Sequence, residues 1–481
     1  MTVWLCTGGI MARVRKALKR CVPWAVVAVG LWTCGGEADS PDLDYTGSEG
    51  AICQKASTPD GTACDDGDPC TANDLCKLGT CVGKVQDGLP CDDGEPCTFY
   101  DSCLAGKCQG EKVGVLFGGK SPDEANAVVA MADGGVAFAG YTQTGTDGWG
   151  DLWIVRTDPL GNPLWTRIYG GHFFEAANAM IQQPDGGLVL AGYTNAQEWN
   201  VGSDLWIVGL DAKGEQKWKR TYGGPESDHA AAMVRLADGG LAVAGFTESW
   251  GAGKGDAWLV RTTFDGKKMW DHPYGGAEYD SARALAAVPG GDIVLAGQTF
   301  SSGAGASDGW YAKVDAQGQL LWQKTAGGKN DDLFRAVAVL PDGGLALAGV
   351  TRSTGAGEED AWLVRTDADG EVLWQHDFGS KQNDGALALA VLPTGGFALA
   401  GYRDSQLNEG AESWLLRTDD AGAVVADQSY GATETGIYIA NAVAVLPKGG
   451  FALAGRMQLH GQSQSDALLV LTDSTGKSTC D

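Results

Sequence analysis

Residues 274–325 read YGGAEYDSARALAAVPGGDIVLAGQTFSSGAGASDGWYAKVDAQGQLLWQKT, and this stretch decides the fold. Ser281 to Val288 alternates small residues and reads as a strand, stopped by the turn Pro289-Gly290-Gly291-Asp292. Ile293 to Thr299 is a second strand, followed by a Gly/Ser-rich loop from Phe300 to Ser307. Asp308 to Val314 is a third, Asp315 to Gly318 a tight turn, and Leu320 to Thr325 a fourth. Four short strands joined by such turns form one propeller blade. No stretch of helical length carries a 3.6-residue apolar period, which excludes helical repeats.

The unit recurs. An aromatic-Gly-Gly mark stands at Phe117, Tyr169, Tyr222 and Tyr274, and in altered form at Ala326, Phe378 and Tyr430, at steps of 52 or 53 residues. A blade cannot bury both faces alone, so units of this period must pack side by side. Large residues at fixed places should fill the seams: Trp153, Trp206, Trp258, Trp310, Trp362 and Trp414 in the third strand. Acids recur too, at Asp123, Glu175, Asp228, Asp280, Asp332 and Asp384. An acid present in six of seven units serves turns and strand starts, because a reaction needs one site. The expected fold is all-β, a seven-bladed propeller over residues 111–481. The last unit lacks its outer strand, and the stretch 112–117 precedes the first mark as a fourth strand would. We expect it to complete the last blade and close the ring, removing an open edge.

The pattern DGG…LAG.T…DAWLVRTD..G..LW…YGG resembles a repeat of bacterial and archaeal cell-surface propellers, loosely grouped with the quinoprotein-like propellers. The resemblance spans 111–481. It implies the fold and says little of activity, because propellers host many functions.

Upstream, residues 53–110 hold two sub-repeats of identical cysteine spacing: Cys64, Cys70, Cys76, Cys81 and Cys91, Cys97, Cys103, Cys108, preceded by Cys53. So short a segment buries little apolar surface and needs covalent staples. It contains no His and no CxxC pair, which speaks against zinc. Disulfides are expected, with Cys480 as a tenth partner, joined to Cys108 or Cys53 across the ring closure. Asp65, Asp66 and Asp68 are candidate calcium ligands, with acidic turns as the alternative. The motif CDDGxPCT…D.C..G.C resembles Cys-rich repeats in surface proteins of myxobacteria and related deltaproteobacteria, which implies a location.

Residues 1–34 read as a signal peptide: Arg13, Arg15, Lys16, Lys19 and Arg20 precede the apolar run Cys21 to Trp32, with Met11 as the expected start. That run is too short to span a bilayer. Cys34, followed by Gly35-Gly36, resembles the lipidated cysteine of bacterial lipoproteins, so a lipid anchor is expected there, and residues 35–52 form a linker. The expected location is the outer membrane or the extracellular space. A formal net charge of −26 excludes a nucleic-acid partner. The chain is expected to be a monomer.

Function should sit on one face. The turns after the first and third strands are short and uniform, whereas the loops after the second and fourth vary, and loops on a rigid frame are where binding evolves. Trp149, Trp199, Trp250 and Phe300 lie in these loops of four successive blades, with Phe173, Phe174 and Tyr279 in the other loops of that face. Such rings stack on sugars or anchor a protein partner. The five His residues show no metal spacing, and no GxSxG elbow is present, so no catalytic residue is nominated. The expectation is a surface binding or scaffolding protein for a glycan or protein. The alternative is a carbohydrate-active or quinoprotein-like enzyme.

Overall fold

The computed structural model describes residues 53, 58–89, 91, 98–146, 149–195, 202–406, 410–431 and 436–479. Blade 1 comprises Asp123–Ala130, Val136–Thr142, Asp151–Thr157 and Pro163–Tyr169, hydrogen-bonded in that order as an antiparallel sheet. Blades 2 to 5 repeat it as separate four-stranded sheets, and blade 6 follows with Asn383–Val391, Phe397–Gln406, Gly410–Thr418 and Val424–Tyr430. Blade 7 has three strands of its own: Gly436–Val445, Phe451–Leu459 and Ser465–Leu471. Its fourth is Val115–Phe117, from the other end of the domain, with Phe117 opposite Ala467 and Val115 opposite Leu469. Each innermost strand touches the next around the circle, and that of blade 7 touches that of blade 1. The ring is closed.

Burial explains the residue pattern of each strand. The second and third strands are covered on both faces, so LVLAGYT and DAWLVRT are buried almost throughout, as apolar runs require. The fourth strand is the outer edge, and its exposure alternates. The core is not one cluster but seven, one per seam. Leu152 and Ile154 of blade 1 pack with Leu190 and Trp206 of blade 2. The seventh cluster joins Ala452 and Leu469 of blade 7 to Phe138 and Trp153 of blade 1. The third-strand Trp residues are buried here, Trp258 to 1% exposure. Four of their indole N–H groups are satisfied within the blade: Trp153 by Thr166 at 2.7 Å, Trp414 by Asp427 at 2.8 Å, Trp258 by Asp271 and Trp310 by Gln323. Structural packing therefore accounts for this Trp series.

The four mark tyrosines latch one blade to the next. Tyr274 donates its hydroxyl to the Gly318 carbonyl at 2.8 Å, and Tyr169, Tyr222 and Tyr430 do the same to Gly214, Gly266 and Gly476. Where the mark is Ala326 the latch is moved: Tyr311 reaches the Gly370 carbonyl at 2.9 Å. Gly318 adopts φ +80° and lies against the Trp270 ring, so a side chain there meets both strain and a clash.

The recurrent acids pin the strand starts. Asp228 accepts from Gly224 N at 2.7 Å and Ser249 Oγ at 2.7 Å, and also from Thr247; Asp280 and Asp332 repeat the mark-glycine and serine bonds. A second carboxylate faces each: Asp466 and Asp123 both crowd Gly118, as Asp256 and Asp280 crowd Gly275. Burial, then the neighbouring charge of Asp123, pushes the Asp466 carboxyl up to about 6.

The Cys-rich segment forms two hairpins, Thr71–Lys77 with Thr80–Val85 and Thr98–Leu104 with Lys107–Lys112. Its disulfides are Cys53–Cys76, Cys64–Cys81, Cys70–Cys103 and Cys91–Cys108. The expected bridge from Cys480 to Cys108 or Cys53 is thereby corrected. Both are consumed inside the module: the cysteines facing each other across a hairpin, Cys76 with Cys81 and Cys103 with Cys108, each bond to a cysteine earlier in the chain, Cys53 and Cys64 or Cys70 and Cys91. Cys97, Cys480, Cys34 and the signal segment lie outside the described residues.

Candidate functional site

Loops after the second strand of a blade are tied to the start of the next blade. Gly150 bridges Phe174 and Gly255 bridges Tyr279, while the amides of Glu175 and Asp280 donate to Gly150 and Gly255 at 2.9 and 2.8 Å. These bridges hold Phe174 and Tyr279 at the blade tops.

From there a continuous belt of rings crosses four blades. Tyr141 lies 5.0 Å from Phe174, which stacks on Tyr193 at 5.8 Å and 17°. Tyr193 stacks on His229 at 4.2 Å and 14°, and His229 meets Phe246 at 4.8 Å. Phe246 reaches Tyr279 at 5.8 Å, and Tyr279 reaches Phe300 edge-on at 6.4 Å. The first six rings are half-buried and Phe300 is 43% exposed, so the belt is anchored below and open above. Burial pushes the His229 imidazole down to about 4, so it is a neutral ring at pH 7, bonded to the Ser203 hydroxyl. Desolvation, followed by the Glu124 charge, raises the Tyr141 and Tyr193 phenols to about 12. The belt is thus uncharged over the physiological range.

Of the seven aromatics nominated from sequence, Phe174, Tyr279 and Phe300 join this belt. Phe173 points elsewhere, into a separate cavity of about 460 Å³ lined by Tyr169, His172, Trp206 and Lys219. Trp250 folds onto the seam residue Trp258 at 5.4 Å while remaining 42% exposed. Trp149 is 61% exposed, and Trp199 lies outside the described residues. Tyr141, Tyr193 and Phe246 escape a search of the loops because they end the second strand. Their signal is a variable residue inside a uniform motif: AGYT, AGYT and AGFT become AGQT and AGVT in blades 4 and 5.

No family model and no curated protein matches this sequence. Among solved structures, Sqt1 of Chaetomium thermophilum is similar at 15% identity and TM-score 0.43, over 76% of this chain and 94% of that one. The Pan2 WD40 domain of Neurospora crassa is similar at 12% identity and TM-score 0.40, over 62% and 86%. A puromycin hydrolase mutant complexed with PGG is similar at 16% and 0.46, over 75% and 53%. The propeller assignment rests on the closed ring itself.

In the Cys-rich module, Asp65, Asp66 and Asp68 act as turn acceptors. Asp66 takes the Asp68 amide at 3.0 Å, the Thr71 hydroxyl at 2.8 Å and the Gly83 amide at 2.8 Å; the first two hold its carboxyl below the usual range. Asp65 and Asp68 accept from Gly67 N and Cys70 N, each at 2.8 Å. Asp74, not Asp68, brings its carboxylate to Asp65 and Asp66, all within 4.8 Å.

Proposed function

We propose that this chain is a cell-surface binding or scaffolding protein that engages a glycan or protein along the aromatic belt. The observation that carries this reading is the run of seven rings from Tyr141 to Phe300 over four consecutive blades, uncharged, anchored below and open above. Rigid aromatic faces lose little conformational entropy on binding and contribute most where they cluster. The four disulfides support an oxidising compartment, and export with lipidation of Cys34 belongs to the same proposal. The test is a glycan-array and surface-protein binding screen with the full chain, repeated with Tyr193→Ala and Phe246→Ala. Affinity should fall roughly tenfold or more in each. If both variants fold and keep every interaction at wild-type strength, the belt is not the binding site.

A further inference from the structure

A second feature, independent of the belt, lies in the central channel. In all seven innermost strands the register slips at the same place, leaving one residue outside the ladder, and blade 6 slips a second time between Asn383 and Gly385. A bulge of this kind re-aims a side chain. Around the ring these residues are Asn126, Asn178, Ala231, Arg283, Arg335, Leu387 and Asn441, and all seven line one open cavity of about 480 Å³.

The three amides on one side are spent on the fold. Asn441 donates to the Ala125 carbonyl at 3.0 Å, Asn126 to the Ala177 carbonyl at 3.1 Å, and Asn178 to the Ala230 carbonyl at 2.8 Å. Each ties its own blade to the next. Opposite them, Arg283 and Arg335 make no hydrogen bond or ion pair among the described residues, and both Nε atoms are buried and unpartnered. The arginines of this chain that are buried outright have acids, Arg156 pairing with Asp133 at 2.5 Å and Arg261 and Arg365 with Asp238 and Asp342, whereas Arg283 and Arg335 are half-buried and have none. Glu359 projects its charge toward Arg335, yet that carboxylate is engaged by Arg352 at 2.9 Å and by the Tyr402 hydroxyl. Burial and then the Arg335 charge push the Arg283 guanidinium down to about 10, still cationic at pH 7. A chain with 61 acids and 35 bases thus keeps two cations on adjacent blades without a carboxylate between them. A buried Nε–H without an acceptor is costly, and two half-buried guanidinium groups facing the same open cavity are placed to take one from an external partner.

We propose that Arg283 and Arg335 form an oxyanion site in the channel, taking the carboxylate or phosphate group of a small organic anion. Guanidinium forks match both groups through paired N–H donors. The cavity volume suits a metabolite, and Leu285, Val337 and Leu389, two positions along each strand from the bulge ring, offer an apolar wall to its body.

The test is thermal unfolding and calorimetric titration of the full chain with succinate and with inorganic phosphate, against sodium chloride at matched ionic strength. The expected result is a saturable rise in Tm with succinate, phosphate or both; the more effective probe identifies the group. Arg283→Met and Arg335→Met should each weaken binding roughly tenfold or more. Leu387→Glu, on the blade beside Arg335, supplies an internal carboxylate; it should raise Tm without added anion and remove the response. Tyr193→Ala and Phe246→Ala should leave the response intact, so this site and the belt fail separately. No saturable response to either anion, or an unchanged response in Leu387→Glu and in whichever Met variants fold, overturns the proposal.

Discussion

The Cys-rich module and the propeller solve the same problem with different means. In the module, the one cluster of buried apolar side chains among the described residues is made of cysteines: Cys53, Cys76 and Cys81, with Cys64 against them. Its aliphatic residues face outward, with Leu78 at 87% exposure and Val85 at 54%. The propeller instead spreads its apolar surface over seven seams. A hairpin pair too small to bury side chains needs covalent bonds, whereas a ring gains two covered faces for every blade added.

Four measurements break or sharpen that contrast. Reduction of the disulfides should have the largest effect. Each bridge contributes roughly 2–5 kcal/mol, so the module should lose amide protection in hydrogen exchange while the blades keep theirs. Blades that melt together with the module would refute the separation. Trp258→Ala should cost about 3–5 kcal/mol by opening a cavity at the seam of blades 2 and 3, read as a lower Tm with the module unaffected.

Asp466→Asn should sharpen the picture at the closing seam. The folded carboxyl sits at about 6, above its ordinary value of 3.8, so its contribution is fully present below about pH 4 and lost as pH rises through 6. Wild-type stability should fall across that window by at most about 2–3 kcal/mol, and the Asn variant should flatten the profile and gain stability at pH 7. A variant whose profile still falls there would assign the window to other seams. The smallest effect belongs to the belt. Phe246→Ala is expected to change stability by about 1 kcal/mol, because the ring is half-buried and not part of a seam cluster, while binding falls as stated above.

Particular residues show why the site was only partly legible. Phe174, Tyr279 and Phe300 stand out because they are aromatic in loops where polar residues are the rule. His229 and Tyr193 do not, since a residue just inside the start or the end of a strand looks like any other member of its alternation. Arg283 is a sharper case. In SARALAAV the alternation gives no direction for a residue that a bulge removes from the ladder, and one unpaired residue redirects a side chain altogether.

Strand number, turn positions and the seven-fold count follow from the sequence alone, because each depends on local chemistry repeated at a fixed step. Turn glycines, alternating small residues and seam Trp residues act within one unit or between neighbours. Which rings touch, which cysteines pair and which arginines lack a carboxylate were decided by the closed ring and the folded module. Those facts depend on residues from 17 positions apart, in the Cys64–Cys81 bridge, to 316, between Asn441 and Ala125, or on a slipped register, and only the folded sheets bring such groups within a few ångströms.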